Sequence, residues 1–345
     1  MSTEHLSIQR KSFDAITAAE RNGWAQLLSE STTSRWAFMS PTYAEAVNET
    51  LGRVDVVLCW RADELVGVMS LQRAAGWLGR LGMREPGGRQ MTDYFGLLAR
   101  PGVQFDWRHL LRKAGIPCLY FTHLDESQAA HGLTGGSPTK GLRTRIHRDG
   151  GAAHWEWLRT QDKKLVSDTE RRERKLTTDH GPLQFEMQSS SPTQDLESLI
   201  GLKNAQYRRT GHEGGALLDP VNALVLTRLL ASKDTNCQPR LSILRCGGKL
   251  VACHFGLQCG PLFHYWFPVY DHRFSVYSPG RILYRNILLA AQSHGIECID
   301  RGAGDSPAKR DFANEEHLFF KDLVGSGFHG QILRLAQRLN WRFSA

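Results

Sequence analysis

Apolar positions recur at helical spacing over residues 14–30, where Ile16, Trp24, Leu27 and Leu28 sit among polar neighbours. A second helical run, PTYAEAVNETLG, starts at Pro41 behind Ser40 as N-cap and closes at Gly52. The period then changes. VDVVLCW (54–60) and ELVGVMSLQR (64–73) read as strands joined by the short connection Arg61-Ala62-Asp63. Residues 74–92 are rich in Gly and Arg and read as a loop or surface flap. They run into Asp93-Tyr94-Phe95, an acid placed just before an aromatic, apolar strand. Residues 106–115 read as a short helix and CLYFTHL (118–124) as a strand. The stretch 125–150, with its Gly, Ser, Thr and Arg, reads as the crossing between two halves.

The second half begins with a long polar helix, 162–180, whose few apolar contacts are Leu165, Val166 and Leu176. Gly181-Pro182 ends it, and LQFEMQ (183–188) reads as a strand. Helices are expected over 193–210 and 220–232. A meander comes next: RLSILRC (240–246), KLVACHFGLQ (249–258) and LFHYWF (262–267), with Gly247-Gly248 at the first turn and Cys259-Gly260-Pro261 at the second. A helix over 280–294 leads to IECID (296–300), and a crossover of that length makes the last strand parallel to a neighbour. The two halves share an element order, which divides the chain into 1–150 and 151–345, each an α/β layer.

A chain of 345 residues also fits two domains better than one. No apolar run approaches the ~20 residues of a spanning helix. The opening MSTEHLSIQRKSFD has no apolar signal-peptide core, so a cytoplasmic location is expected. The net charge of +8 favours anionic partners: nucleotide cofactors, acidic sugars, tRNA or a membrane surface, with no DNA partner expected. Part of that charge lies in Glu170-Arg171-Arg172-Glu173-Arg174-Lys175, which reads as a solvated helix face. Seven cysteines without a repeating spacing argue against a disulfide framework. Cys253 and His254 alternate faces of one strand, so no zinc site is expected there.

The stretch 265–312 is the densest in chemistry. Ser278-Pro279-Gly280 comes after a strand and opens a helix, where free backbone N–H groups and the helix dipole make an anion cradle. Backbone groups through Ile282 can hold a pyrophosphate, with Arg281 or Arg285 adding charge; Pro279 also suits a plain helix start. If the hairpin turns at Gly260, His254 faces Trp266 and His264 faces Gly256. His254, His264 and Trp266 then share one sheet face, and an imidazole near its usual pKa of ~6.5 suits a general base. The same three side chains would also make a core. Pro268 should interrupt the ladder and leave the amide before it, at Phe267, facing a reacting oxygen. Asp300 and Asp305 flank Arg301-Gly302-Ala303-Gly304, where glycines permit close approach to a ligand. Asp93, with Tyr94 beside it, is a candidate substrate contact or a turn residue. No Ser lies in a GxSxG context, which favours direct transfer over a covalent intermediate.

Three segments carry a family resemblance: Tyr270-Asp271-His272-Arg273-Phe274; Tyr277-Ser278-Pro279-Gly280-Arg281-Ile282-Leu283; and the run Ile299–Phe312 that holds Gly304-Asp305-Ser306-Pro307-Ala308-Lys309. Together they resemble the GNAT acyltransferases, in particular the CelD-like "acetyltransferase involved in cellulose biosynthesis" group, which is related to Fem-type transferases. The resemblance spans about 165–315, more weakly 15–110. His272 stands where that group has Pro, and Ala308 where an aromatic precedes the Lys. The resemblance implies an α/β (α+β layered) fold of two tandem GNAT-like lobes, with mixed, mostly antiparallel sheets flanked by helices. The second lobe would hold acetyl-CoA or another acyl-CoA as co-substrate, without metal, and the first would serve the acceptor. Trp266 and Phe267 would lie along the pantetheine. His254, His264, Asp305 and Lys309 would supply the catalytic groups, and Asp93, Tyr94, Asp300 and Arg301 would meet the acceptor. The activity implied is N- or O-acyl transfer to a saccharide or small molecule, in polysaccharide biosynthesis. The alternatives are a Fem-like aminoacyl or peptidyl transferase using charged tRNA, and a non-catalytic module of a polysaccharide assembly.

Overall fold

The computed structural model describes residues 6–31, 35–328 and 330–335. The chain forms two compact units, one up to Lys140 together with the segment from His317 onward, the other Gly141–Glu316. Unit one begins with β1 (Leu6–Ser12), α1 (Ala18–Glu30), α2 (Pro41–Thr50), β2 (Val54–Arg61) and β3 (Glu64–Arg73). It continues with α3 (Gly76–Arg80), β4 (Met83–Pro86), β5 (Leu98–Ala99), α4 (Trp107–Lys113) and β6 (Cys118–Asp125). Next come β7 (Ser137–Arg145), α5 (Gly151–Gln161), α6 (Lys163–His180), β8 (Leu183–Glu186), α7 (Pro192–Arg209) and α8 (Pro220–Leu230). The meander β9 (Gln238–Cys246), β10 (Lys249–Cys259) and β11 (Leu262–Tyr270) leads into α9 (Pro279–Ala290), β12 (Cys298–Ala303) and α10 (Pro307–Arg310). The chain then returns to unit one as β13 (Glu315–Gly325).

The units share one strand order. In unit one it runs β1-β2-β3-β4-β6-β13, and in unit two β8-β9-β10-β11-β12-β7. Each set is antiparallel except for a single parallel pair, β4 with β6 and β11 with β12. The outermost strands are exchanged along the chain. β7 follows β6 in sequence but pairs with β12, while β13 follows β12 but pairs with β6. The fold is the mixed, mostly antiparallel α/β arrangement expected. The division falls at 140/141 rather than 150/151, and the C-terminal strand, expected in the second lobe, completes the first.

Local rules account for most elements. Thr17 and Glu20 form a reciprocal capping box at α1, and Ser40 accepts from the Tyr43 N–H ahead of Pro41 at α2. Gly247 and Gly248 both take positive φ in the two-residue turn of the β9–β10 hairpin. In α9, Ile282, Leu283, Ile287 and Leu288 make a buried stripe against Val251, Phe263 and Tyr265, and Trp155 and Val166 share that core. The other sheet face of unit two receives α7 through Leu196 and Leu199.

Four differences from the sequence reading have physical causes. The 125–150 stretch contains β7, whose SPTKGLRTR buries little apart from Gly141, Leu142 and Thr144, so its composition is that of a loop; pairing with β12 makes it a strand. The 74–92 stretch is ordered as α3 and β4 because Leu78 and Met83 reach a small core. β11 runs on through Pro268 to Tyr270, since Pro268 lies opposite His254 and the ladder resumes beyond it. The helix expected over 280–294 ends at Ala290, with a single tight turn after it. Among the described residues no helix is long and apolar enough to cross a membrane.

Phe319 of β13 is fully buried among Tyr94, His123 and His317. Phe319→Ala is expected to destabilise the protein by about 3–5 kcal/mol in urea unfolding, because a ring-sized cavity opens in a strand that unit one needs.

Candidate active site

The parallel pair of unit two holds for only three residues. Leu262, Phe263 and His264 pair with Cys298, Ile299 and Asp300, and the strands then part. From Tyr265 to Tyr270, β11 keeps its neighbour β10 on one side alone. Amides alternate direction along a strand. The Pro261 carbonyl accepts from the Glu297 and Cys298 N–H groups, so odd-numbered residues present their backbone toward β12. The Trp266 N–H points the other way, to the Nε2 of His254 at 3.1 Å. The alternation holds through Tyr265, whose amide, rather than that of Phe267, is therefore aimed into the opening that β12 has left; past the bulge Phe267 lies opposite Phe255 and the Asp271 N–H bonds the Val251 carbonyl at 3.0 Å, so odd-numbered backbone there faces β10.

His254 sits where that alternation breaks. A bulge at Gly256 breaks the β10–β11 register between Phe255 and Leu257. There the imidazole, not a carbonyl, accepts the Trp266 N–H. Its ring stacks on Tyr265 at 4.0 Å and meets the edge of Phe263. Complete burial pushes its pKa well below the usual value, so the ring is neutral and its proton sits on Nδ1. The bulge also corrects the expected parity. The extra residue inverts the faces, and His254 shares a face with Phe263 and Tyr265, not with His264 and Trp266.

The point of parting is pinned by ionic hydrogen bonds. His264 Nδ1–H donates to Asp300 Oδ1 at 2.9 Å. The same oxygen accepts from the Gly302 N–H at 2.8 Å, and Oδ2 accepts from Arg143 Nε at 2.9 Å. Asp300 is fully buried, so each of these bonds replaces a lost hydration contact. Three strands, β11, β12 and β7, are tied at this spot.

The remaining candidates lie at the ends of the opening. Ser278 takes a left-handed conformation (φ 52°) at the start of α9, and its carbonyl accepts from the Arg281 and Ile282 N–H groups. Pro279 occupies the first turn, and a Cβ on Gly280 would meet only Tyr270, at 3.9 Å, so the backbone there is open to a ligand. The arginines differ from expectation. Arg281 is held by Asp311 (3.0 Å) and Asp168 (3.4 Å), and Arg285 by Glu173 (2.9 Å) while lying over Trp155. A cleft beside Arg281 is lined by Lys164, Ser167, Asp168, Arg171 and Asp311. Trp266 and Phe267 are buried at the strand end. The expected Asp305–Lys309 pair does not form. Asp305 accepts from Arg310, and Lys309 bonds the carbonyls of Gly302 and Ala303, because the short α10 turns Lys309 inward and Arg310 outward. Arg301 lies over Tyr284 (4.8 Å) and Tyr265 (5.7 Å), and donates to the Ala308 and Lys309 carbonyls. It fastens the loop to the aromatic core.

Residues 163–310 match the acetyltransferase (GNAT) domain family. No curated protein matches the chain. Among solved structures, the chain is similar to FemX at 10% identity, covering 94% of this chain and 99% of that one, with a TM-score of 0.61. It is also similar to the C-terminal domain (DUF2156) of a putative lysylphosphatidylglycerol synthetase from Agrobacterium fabrum, at 11% identity over 93% of this chain and 96% of that one, TM-score 0.53. A tandem GNAT protein from the clavulanic acid biosynthesis pathway aligns at 13% identity over 94% and 99%, TM-score 0.49. The first two likenesses show the fold.

One side chain of the matched region escaped the sequence reading. Lys203 lies on α7 in the stripe Leu196, Leu199, Lys203, Tyr207, where the spacing calls for an apolar residue; that mismatch was the available signal. Lys203 Nζ donates at 2.9 Å to the carbonyl of Pro268, which faces away from β10, and stands over the Tyr207 ring. Burial of the ammonium pushes its pKa down to about 8. Cys253, beneath it, is pushed up to about 12 by burial and stays a thiol.

Unit one has the same parting without the opening. β4 and β6 pair at Met83–Arg84 and Cys118–Leu119. Phe95 then bridges Leu124, with its N–H on the His123 carbonyl (2.9 Å) and its carbonyl on the Asp125 N–H (3.3 Å). Tyr94, expected at the substrate, is buried, stacked on Trp36 at 3.6 Å and bonded to His317 Nε2 at 2.9 Å. Asp93 sits half-buried beside it.

A Cβ at Gly256 would lie 2.4 Å from the His264 carbonyl and 2.5 Å from the His254 ring. Gly256→Ala is expected to cost about 1–3 kcal/mol in chemical unfolding. His254→Ala, which enlarges that space, should recover part of the loss in the double variant.

Proposed function

We propose that the GNAT domain transfers an acyl group directly from an acyl-CoA thioester to an amine or hydroxyl of a saccharide or small molecule. The observation that carries this reading is the Tyr265 amide, aimed into the β11–β12 opening, with the Ser278-Pro279 helix start farther along the chain. A thioester laid along β11 would bring its carbonyl oxygen to that N–H, while the α9 N-terminus and the Lys164–Arg171 cleft receive the phosphates. The stitched parting of unit one offers no equivalent path, which favours unit two as the donor side.

Lys203 takes the base role in this proposal. As the acceptor's lone pair bonds to the acyl carbon, the Tyr265 N–H steadies the oxyanion. Neutral Lys203 then takes the acceptor's proton. The C–S bond breaks with its electron pair on sulfur, and the thiolate is reprotonated from the Lys203 ammonium or solvent. His264 and Asp300 set the geometry of the opening, and His254 holds the Trp266 N–H beside the Tyr265 amide. Asp305, on the exposed loop, is left to contact the acceptor, and Lys309 and Arg301 to hold that loop.

Calorimetry with acetyl-CoA and longer acyl-CoA esters tests the donor. Absence of binding at millimolar ester, with transfer from charged tRNA instead, would replace acyl-CoA as the donor. Lys203→Met should leave ester affinity within a few-fold and lower kcat by about 10²–10⁴-fold. A base is active when deprotonated, so kcat/KM should rise with pH through about 8 and level off above it. The Lys203→Met variant should lose that step; an unchanged profile removes Lys203 from the mechanism.

A further inference from the structure

The outer face of α6 carries a charge pattern that the core of unit two does not require. Lys163, Lys164, Arg171, Arg174 and Lys175 are exposed. At 3.6 residues per turn they fall, with Ser167 and Thr178, within about a third of the helix circumference and run about 18 Å along it. The acids of the helix lie outside that sector and are already engaged. Asp168 binds Arg172 (2.7 Å) and Arg171, Glu170 binds Arg159 (2.6 Å), Glu173 binds Arg285 (2.9 Å), and Asp179 accepts from the Tyr277 hydroxyl (2.7 Å). Lys163, Lys164 and Arg174 have no acidic partner among the described residues. One large apolar side chain stands beside this stripe. Val276 is 65% exposed, its carbonyl accepts from Arg172, and Lys175 lies over the ring of the next residue, Tyr277, at 6.0 Å. Two residues past Val276, Ser278 opens α9.

Charge and position together say what covers this face. An aliphatic knob beside unpaired cations complements a folded acidic protein. A bilayer would need an apolar stripe along the helix, and the exposed sector of α6 has none. A nucleic acid would find cations for its phosphates but no ring for its bases, since Tyr277 is buried. The surface also adjoins the place where the proposed reaction takes in its donor: Val276 leads into the α9 start, and Lys164 and Arg171 line the cleft beside Arg281. CoA and a protein-bound pantetheine thioester share the same arm and differ beyond its first phosphate, where one has a nucleotide and the other an acidic protein. We infer that unit two receives its acyl thioester from an acidic carrier protein on a phosphopantetheine arm, with the carrier's acids on α6 and an apolar contact on Val276. This rests on the proposed acyl transfer and narrows its donor. The arm's single phosphate would lie at the α9 N-terminus, and the cations of the cleft would face the carrier. The bonds made and broken are unchanged; the thiolate stays on the carrier's arm and is protonated as before.

The test uses the full chain and the purified acyl carrier protein of bacterial fatty-acid synthesis, with and without its acetylated phosphopantetheine arm. Binding is measured by calorimetry, and transfer is measured separately from the acetylated carrier and from acetyl-CoA. The acetylated carrier is expected to bind, more weakly as salt is added, and to bind more tightly than the form without the arm. Lys163→Glu/Arg174→Glu should weaken that binding by about ten-fold or more, with an unchanged melting curve and with transfer from acetyl-CoA within about two-fold. Val276→Ser should weaken it by about ten-fold, as one aliphatic contact returns to water. No binding of the acetylated carrier at low salt, or equal binding by the charge-reversed variant, overturns the inference. So does binding of RNA or of phosphatidylglycerol vesicles that the charge reversal abolishes while the carrier fails to bind. Transfer from acetyl-CoA without carrier binding removes the carrier alone, whereas absence of transfer from both thioesters removes the reaction on which the inference rests.

Discussion

The architecture of unit two turns on a conflict between two adjacent strands. β11 and β12 are bound together at His264 and Asp300 and released immediately afterwards. Parallel strands normally continue to pair as far as both extend, because each further residue adds a ladder bond. Here the bonding is concentrated at one point. A fully buried carboxylate takes three donors, from His264, Gly302 and Arg143, and each is charge-assisted. Beyond that point Gly302 and Gly304 adopt positive φ and turn β12 away, and Arg301 and Lys309 fold the next loop back on itself. The opening is thus a built feature with a strong hinge at its apex.

The bulge at Gly256 makes the opening chemically useful. Without the extra residue, β11 would run in simple alternation against β10 and a backbone carbonyl would receive the Trp266 amide. With it, a side chain must do so, and His254 is held neutral by burial so that Nε2 can accept. A charged imidazole would offer no lone pair there. The Tyr265 amide, just before the bulge, is left aimed at the opening, and Lys203 approaches from α7 on the opposite face from His254. Each of the two basic side chains nearest the strand has a depressed pKa from the same cause, desolvation, yet they serve different ends: one is a fixed acceptor, the other a titratable amine.

Unit one shows what the same topology does when the opening is not kept. Its parallel pair also parts, but Phe95 re-joins the strands and Tyr94, Trp36 and Phe38 fill the space with stacked rings. An aromatic core is then continuous across the place where unit two has a slot. Two copies of one strand order have been put to different uses by the segment that leaves the third strand of each meander: a tight glycine turn and an aromatic plug in one, a helix that begins at Ser278-Pro279-Gly280 in the other.

Much of this was legible from local pattern. Helix and strand periods, the Gly247-Gly248 turn, the Ser40-Pro41 and Ser278-Pro279 helix starts, the five-element order of each half and the parallel final strand all depend on residues within a few positions of each other. So does the family resemblance over about 165–315, whose GNAT part the match over 163–310 supports. The features left open depend on partners far along the chain. β7 is a strand only because β12 lies beside it, and β13 belongs with β6 some 200 residues earlier. A one-residue bulge reverses every face assignment beyond it, so the grouping of His254 with His264 could not survive once Gly256 was squeezed between them. Lys203 interrupts the apolar stripe of its helix, but only the packing of α7 laid it on Pro268. Period is a property of the chain, whereas register, burial and the pKa that burial sets are properties of the packed sheet, and those decided where the chemistry of this protein can occur.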